Sequence, residues 1–320
     1  MLRILEAGKR RWRRHWLMAS VAAAWMALAA VAFVASAAGD PPPTRLPAAA
    51  RVVAMADWHG DLAAARRALL LAGAIDAEDR WIGGDLVVVQ TGDILDRGDQ
   101  ERAILDLMAR LRDDAAAAGG AVHLLLGNHE VLNAAGDFRY VSEDGWAGFR
   151  DSTAAADPAD SALAALPPAQ QARAAALRPG GPYARRLATQ PVALIIGRNL
   201  FVHGGVLPEH VAFGLERLNR ESYAWLRGEG PRPDLLDRRD GPLWVRGYCQ
   251  DPSPASCAAL DSVLTALDCD RLFAGHTIQA GGVTAYCDHR VWCLDTGAAA
   301  FYGGPVQVVE ITADSVRVLQ

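Results

Sequence analysis

Lysine is almost missing from this chain. Of its 32 basic residues all but Lys9 are arginine. With so much alanine alongside, the bias points to a GC-rich coding sequence and says little about chemistry. An excess of positive charge is missing too. The net charge is −5, and the first 37 residues alone carry +5, so the rest stands near −10. That excludes a general nucleic-acid surface. Cysteine is scarce: five residues, all in the last quarter, with no pair at zinc-finger spacing. No internal repeat is present. Nor is there the polar composition of a disordered chain or the glycine period of a collagen, since 51% of residues are apolar and 22% charged. What remains is a globular chain of 320 residues, long enough for one large domain or two small ones.

The first forty residues read as an address. Residues 1–16 are basic, and residues 17–38 (LMASVAAAWMALAAVAFVASAA) carry no charge. A run of that length crosses a hydrocarbon core of roughly 30 Å. The basic flank predicts that the N-terminus stays in the cytoplasm. Two readings stand side by side: an uncleaved transmembrane anchor, or a secretory signal ending at Ala35-Ser36-Ala37. Both place the remainder outside the cytoplasm, anchored in the inner membrane or free in the periplasm. The expected organisation is a signal or anchor at 1–39, a Pro-rich linker at 40–50 and a domain at 51–320. In an oxidising compartment Cys249/Cys257 and Cys287/Cys293 are near enough in sequence to pair, leaving Cys269 over; buried reduced thiols are the other reading.

From residue 51 apolar runs alternate with helical patterns. RVVAMA (51–56), DLVVVQ (85–90) and AVHLLL (121–126) each precede a polar loop and, in the first two cases, an amphipathic stretch. Such alternation predicts an α/β fold with a buried, largely parallel sheet. Residues 137–190, rich in Ala, Asp and Pro, break the pattern and read as a helical insert. PVALII and NLFVHGGV read as two strands joined at Gly197-Arg198, and four more strand-like runs follow FAGHT.

The unusual residues sit where these runs end. Asp57 and His59 follow the first, Asp93 the second, and Asn128 and His129 the third; His203 follows NLFV and His276 follows RLFAG. The carboxyl ends of strands are where α/β sheets build their sites. Oxygen and imidazole donors without thiolate suit manganese, iron or zinc, and two such ions can activate a water and hold an in-line phosphoryl displacement. Asp61, before a helical run, reads as an N-cap. His15, His123, His210 and His289 read as surface or core.

These segments resemble the motifs of the calcineurin-like metallophosphoesterases. ADWHGD, GDILDRG (92–98), LLGNHE (125–130), VHGG (202–205) and AGHT (274–277) stand in family order, with Ala56 where the family usually has Gly. GPLWVRGY (241–248) and DTG (295–297) make the match most like the bacterial, Shewanella-like protein phosphatases. The resemblance implies a central β-sandwich flanked by helices. It implies Asp57, His59 and Asp93 on one divalent ion and Asp93, Asn128, His203 and His276 on a second, manganese first with iron or zinc as alternatives. It makes metal-bound hydroxide the nucleophile, His129 the general acid, Asp96 its orienting partner, and Arg97 and Arg246 the phosphate clamps. The expected reaction is phosphomonoester hydrolysis on a phosphoprotein, at Ser/Thr or Tyr. Alternatives are a hydrolase of diadenosine tetraphosphate or another small phosphorylated molecule, and a membrane-tethered, non-catalytic binder of phospho-ligands. A phosphodiesterase or nuclease fits the Arg97 block poorly. Glu130 and the Trp-x-Arg-Gly block tilt the resemblance toward protein substrates.

Overall fold

The computed structural model describes residues 39–150 and 161–320. The expected anchor or signal helix lies outside the described residues. Among them, no helix is long and apolar enough to cross a membrane. In chain order the strands are β1 (Arg45–Leu46), β2 (Arg51–Met55), β3 (Val87–Gln90), β4 (Ala121–Leu124), β5 (Ala193–Ile196), β6 (Asn199–Val202), β7 (Arg271–Ala274), β8 (Thr284–Tyr286), β9 (Val291–Cys293), β10 (Val308–Thr312) and β11 (Val316–Leu319). The helices are α1 (Leu62–Leu71), α2 (Glu101–Ala117), α3 (Asn128–Ala134), α4 (Ser161–Ala164), α5 (Pro168–Leu177), α6 (Pro182–Leu187), α7 (Pro208–Phe213), α8 (Leu215–Leu226) and α9 (Pro254–Ala266).

The strands form two mixed sheets, ordered β11-β10-β2-β3-β4 and β1-β5-β6-β7-β9-β8. In the first, β2, β3 and β4 run parallel, with Val52 opposite Val87 and Val87 opposite Ala121. In the second, β6, β7 and β9 run parallel. Alternate side chains explain why the runs are apolar throughout. Val52 and Ala54 point into a layer shared with Phe201, Phe273 and Leu194 of the other sheet. Val53 and Met55 point the other way, onto α1 and α2. On the far face of the second sheet, Leu200, Val202 and Leu272 meet Leu260 and Val263 of α9. The central strands of both sheets are therefore buried on both faces, each full Val or Leu burial contributing about 1.5–3 kcal/mol before the cost of ordering the chain.

Three expectations change. The largely parallel sheet read from the apolar runs is two mixed ones, packed as the resemblance implied, because the hairpins β5–β6, β8–β9 and β10–β11 fold back antiparallel. The stretch read as linker at 40–50 contains β1, which pairs parallel to β5 with Arg45 opposite Ile195. Two residues carry no legible period. The disulfides join Cys249 to Cys293 and Cys257 to Cys287, not the sequence neighbours. Cys293 lies opposite Thr284 across the β8–β9 hairpin, so Cys287, at its turn, cannot reach it. Cys269 is left over and buried.

The described part of the insert is a 3-10 turn at Asp144–Phe149 followed by α4, α5 and α6. Pro168 and Pro182 stand in the first turns of α5 and α6, where a missing N–H costs nothing.

Candidate metal centre and active site

The polar strand-end residues meet in one cleft. Its walls include Asp57, His59, Asp93, Arg97, Asn128, His129, Arg246 and His276, around a cavity of about 200 Å³. His203, fully buried, stands behind it. The backbone is bent hard to aim these groups. His59, Asp93, Asp96, Arg97 and His276 all take positive φ, between 43° and 72°. Side chains with a Cβ rarely adopt that region, and such strain gathers at functional sites.

The imidazoles are set by backbone carbonyls. His59 Nδ1 donates to Leu95 O and His203 Nδ1 donates to Thr91 O, each at 3.0 Å. In the neutral ring that leaves each Nε2 as a lone pair facing inward. His203 Nε2 lies 2.9 Å from Asn128 Oδ1, 3.1 Å from His276 Nδ1 and 3.2 Å from Asp93 Oδ2. His59 Nε2 lies 3.8 Å from Asp93 Oδ2 and 3.9 Å from Asp57 Oδ2. Lone pairs confront lone pairs on both sides of Asp93. A cation between them satisfies every one, so the residues fit divalent metal. Two donor groups are close enough to hold an ion, His59–Asp93–His129 and Asp93–His203–His276.

Residues 50–280 match the calcineurin-like phosphoesterase family. The chain belongs to that family. It is 38% identical over 309 residues to Shewanella-like protein phosphatase 2 of Arabidopsis thaliana, covering 86% of this chain and 79% of the relative. Shewanella-like protein phosphatase 1 of Plasmodium berghei is 27% identical over 267 residues, covering 80% and 69%. The crystal structure of a cold-active protein-tyrosine phosphatase from a psychrophilic Shewanella species superposes with a TM-score of 0.69 at 25% identity, covering 90% of this chain and 85% of that one. A protein serine/threonine phosphatase of Saccharomyces cerevisiae shares the fold, at a TM-score of 0.57 and 15% identity, with coverages of 88% and 85%. This calcineurin-like phosphoesterase is thus a hydrolase of phosphoric esters, and its family implies two divalent ions.

Electrostatics in the phosphoesterase cleft favour those ions. Burial pushes the Asp57 carboxyl well above its ordinary range, and the charges of Asp295 and Asp93 add to the shift. Burial drives Asp295 up to about 6. Burial alone would also raise Asp93, but the His203, His129 and His59 imidazoles around it hold it well below the usual range. Burial lowers His59 to about 4 and, with His203 and Arg246 beside it, His276 to about 2, so both rings are neutral donors at neutral pH. Three carboxylates crowded this way are relieved by a bound cation.

His129 differs from the other rings. Its Nδ1 donates to Asp96 Oδ2 at 2.6 Å, while its Nε2 faces Asp93 Oδ2 from 3.8 Å. Burial opposes its protonated form, and Asp93 and Asp96 more than offset that, so its pKa lies above the ordinary value. Arg97 stacks between Tyr140, at 4.3 Å, and Phe301, at 4.9 Å, with its Nε buried and unpaired. Arg246 donates to His276 O at 2.7 Å and lines the same cleft.

Sequence reasoning missed several neighbours. Asp295, Tyr140, Ile278 and Tyr302 line the cleft. Asp295 was visible in the DTG block but given no role. Arg173, Glu101 and Asn133, which hold Asp96 from behind, left no signal. Glu130 accepts the N–H groups of Asp93, Ile94, Leu95 and Gly127. Trp244 lines the cleft, whereas Tyr248 is core, donating to Val206 O. Asp61 caps α1 through Ala64 N.

Proposed function

We propose that this chain is a dinuclear metal-dependent protein phosphatase with a preference for phosphotyrosine. The observation that carries the metal reading is the ring of facing acceptors around Asp93. Asp57, His59 and Asp93 hold one ion; Asp93, Asn128, His203 and His276 hold the other. His129 falls within a donor group, but its Nδ1 is committed to Asp96 and Asp57 already supplies the carboxylate there. When bound, two divalent ions, manganese first, supply Lewis acidity and an activated water for in-line attack at phosphorus. The chain's own residues do the rest. Arg97 and Arg246 hold phosphate oxygens, Arg97 kept rigid by the two rings that sandwich it. His129 carries a proton on Nε2 to the leaving oxygen, and Asp96 keeps the ring turned that way.

The rim supports the tyrosine preference. Phe301 is 59% exposed, Ile278 41% and Tyr302 38%, three of the five large apolar side chains that are exposed among the described residues. Ile278 and Tyr302 line the cleft, and Phe301 packs edge-on against Tyr302 at 4.8 Å. An aromatic leaving group fills such a rim; a seryl methylene leaves it wet. The similar Shewanella structure is named a protein-tyrosine phosphatase.

The charge-free run at 17–38 and the two disulfides support an extracytoplasmic setting, with residues 1–38 as an inner-membrane anchor or a cleaved signal. A substrate panel tests the whole reading. Manganese-dependent release from a phosphotyrosyl peptide at least about tenfold faster than from its phosphoseryl counterpart is expected, tenfold being about 1.4 kcal/mol of rim contact. Turnover of diadenosine tetraphosphate alone would instead make the enzyme a small-molecule hydrolase.

A further inference from the structure

Arg173, a fully buried charge, belongs to the helical insert. Its side chain is wholly buried, as is that of Asp96. Every guanidinium nitrogen is used. Nε donates to Asn133 Oδ1 at 2.7 Å. NH1 donates to Glu101 Oε2 at 2.6 Å and to Gly145 O at 3.3 Å. NH2 donates to Glu101 Oε1 at 2.8 Å and to Asp96 Oδ1 at 3.1 Å. The plane also lies over the Phe149 ring at 5.1 Å.

Two of these partners, Asn133 and Glu101, also hold Asp96. Asn133 Nδ2 donates to Asp96 Oδ1 at 2.8 Å and to His129 O at 2.9 Å. Glu101 accepts the Asp96 N–H, which pins the backbone at its positive φ of 70°. One Asp96 oxygen is therefore fixed from behind, and the other is left for His129 Nδ1. Two buried carboxylates on their own would repel; Arg173 neutralises one and fixes both. A guanidinium can do this because its five donors lie in one rigid fork.

We propose that Arg173 is a positioning residue for proton transfer. Through Asp96 and Glu101 it holds the His129 ring in line with the leaving oxygen, so the insert completes the acid rather than merely covering the cleft. This rests on reading His129 as the general acid. Buried salt bridges add little net stability, and their best-attested role is to fix one geometry.

The test is the dependence of kcat on leaving-group pKa, measured with metal-loaded full-length enzyme on aryl phosphates from p-nitrophenyl to phenyl. A good leaving group needs no proton; a poor one does. In Arg173→Met, kcat for phenyl phosphate should fall about 10- to 100-fold with KM within about twofold, while p-nitrophenyl phosphate loses less than about threefold. Arg173→Lys should recover part of the loss. The pair Arg173→Met with Glu101→Gln keeps the buried charge balanced; it should show the same steepened dependence, and it carries the test if the single variant does not fold. An equal loss across all leaving groups would overturn the proposal, because a merely structural role lowers every rate alike. His129→Ala runs alongside. A flat series there would sink the acid reading itself, whereas a steep series there with a flat one for Arg173 would sink only the present inference.

Discussion

Gly127 has no room for a side chain. A Cβ on it would meet Asp93 Oδ1 at 2.1 Å and Asp93 N at 2.4 Å. Asp93 also accepts the His129 N–H through Oδ1 at 3.0 Å, so that oxygen cannot simply swing aside. Gly127→Ala should therefore displace the carboxylate shared by both donor groups. A loss of about 100-fold or more in kcat is expected with the fold intact, since a misplacement near 1 Å costs on that order; full activity in the folded variant would mean that Asp93 is not held where the reaction needs it. The glycine was legible in the GNHE block, and the ten expected site residues stand in that block and in the others quoted from the sequence. Seven of them stand at the ends of apolar runs, where the pattern draws the eye; Asp96, Arg97 and Arg246 came from the family resemblance. Arg173 was not legible. It lies in an alanine-rich stretch, QQARAAA, where nothing local sets it apart from a surface arginine. Its role comes wholly from what folds over it.

At the scale of the element, the apolar runs gave away β2, β3 and β4 within two residues of their observed ends, because burial on both faces removes any need for polar alternation. The two-sheet arrangement was not visible, since antiparallel hairpins and parallel crossovers look alike in a short apolar run. It came only from the resemblance. Strand β4 carries a testable exception to its apolar pattern. His123 lies mid-strand opposite Val89, with Nε2 buried and unpaired. Burial lowers its pKa from 6.5 to about 4. Between those values the unfolded chain takes up a proton that the folded state refuses. Stability is complete above pH 6.5 and falls as the pH drops toward 4. His123→Val should remove that loss. Denaturant titration is expected to show the variant gaining about 1–2 kcal/mol relative to the parent between pH 7 and pH 4.5, a value reduced because the ring retains partial contact with water. Parallel stability curves for the two proteins over that range would exclude this source of acid sensitivity.

At the scale of the whole chain, the two bridges tie the loop after Arg246 and helix α9 to the β8–β9 hairpin. They close loops of 44 and 30 residues. Chain entropy gives such a bridge about 3–4 kcal/mol. Reduction of metal-free protein should lower the calorimetric Tm by several degrees; an unchanged Tm with both bridges open would mean that sheet packing alone holds this region. The pairing itself was hidden from the sequence because nearness along the chain is not nearness across a hairpin.

Metal stoichiometry tests the dinuclear centre most directly. Elemental analysis of the manganese-loaded enzyme, alongside Asp93→Asn, should find two ions per active chain in the parent and a loss of both ions together with phosphatase activity in the variant. One ion or none in a fully active parent, or an Asp93→Asn protein that keeps both ions and its activity, would contradict it.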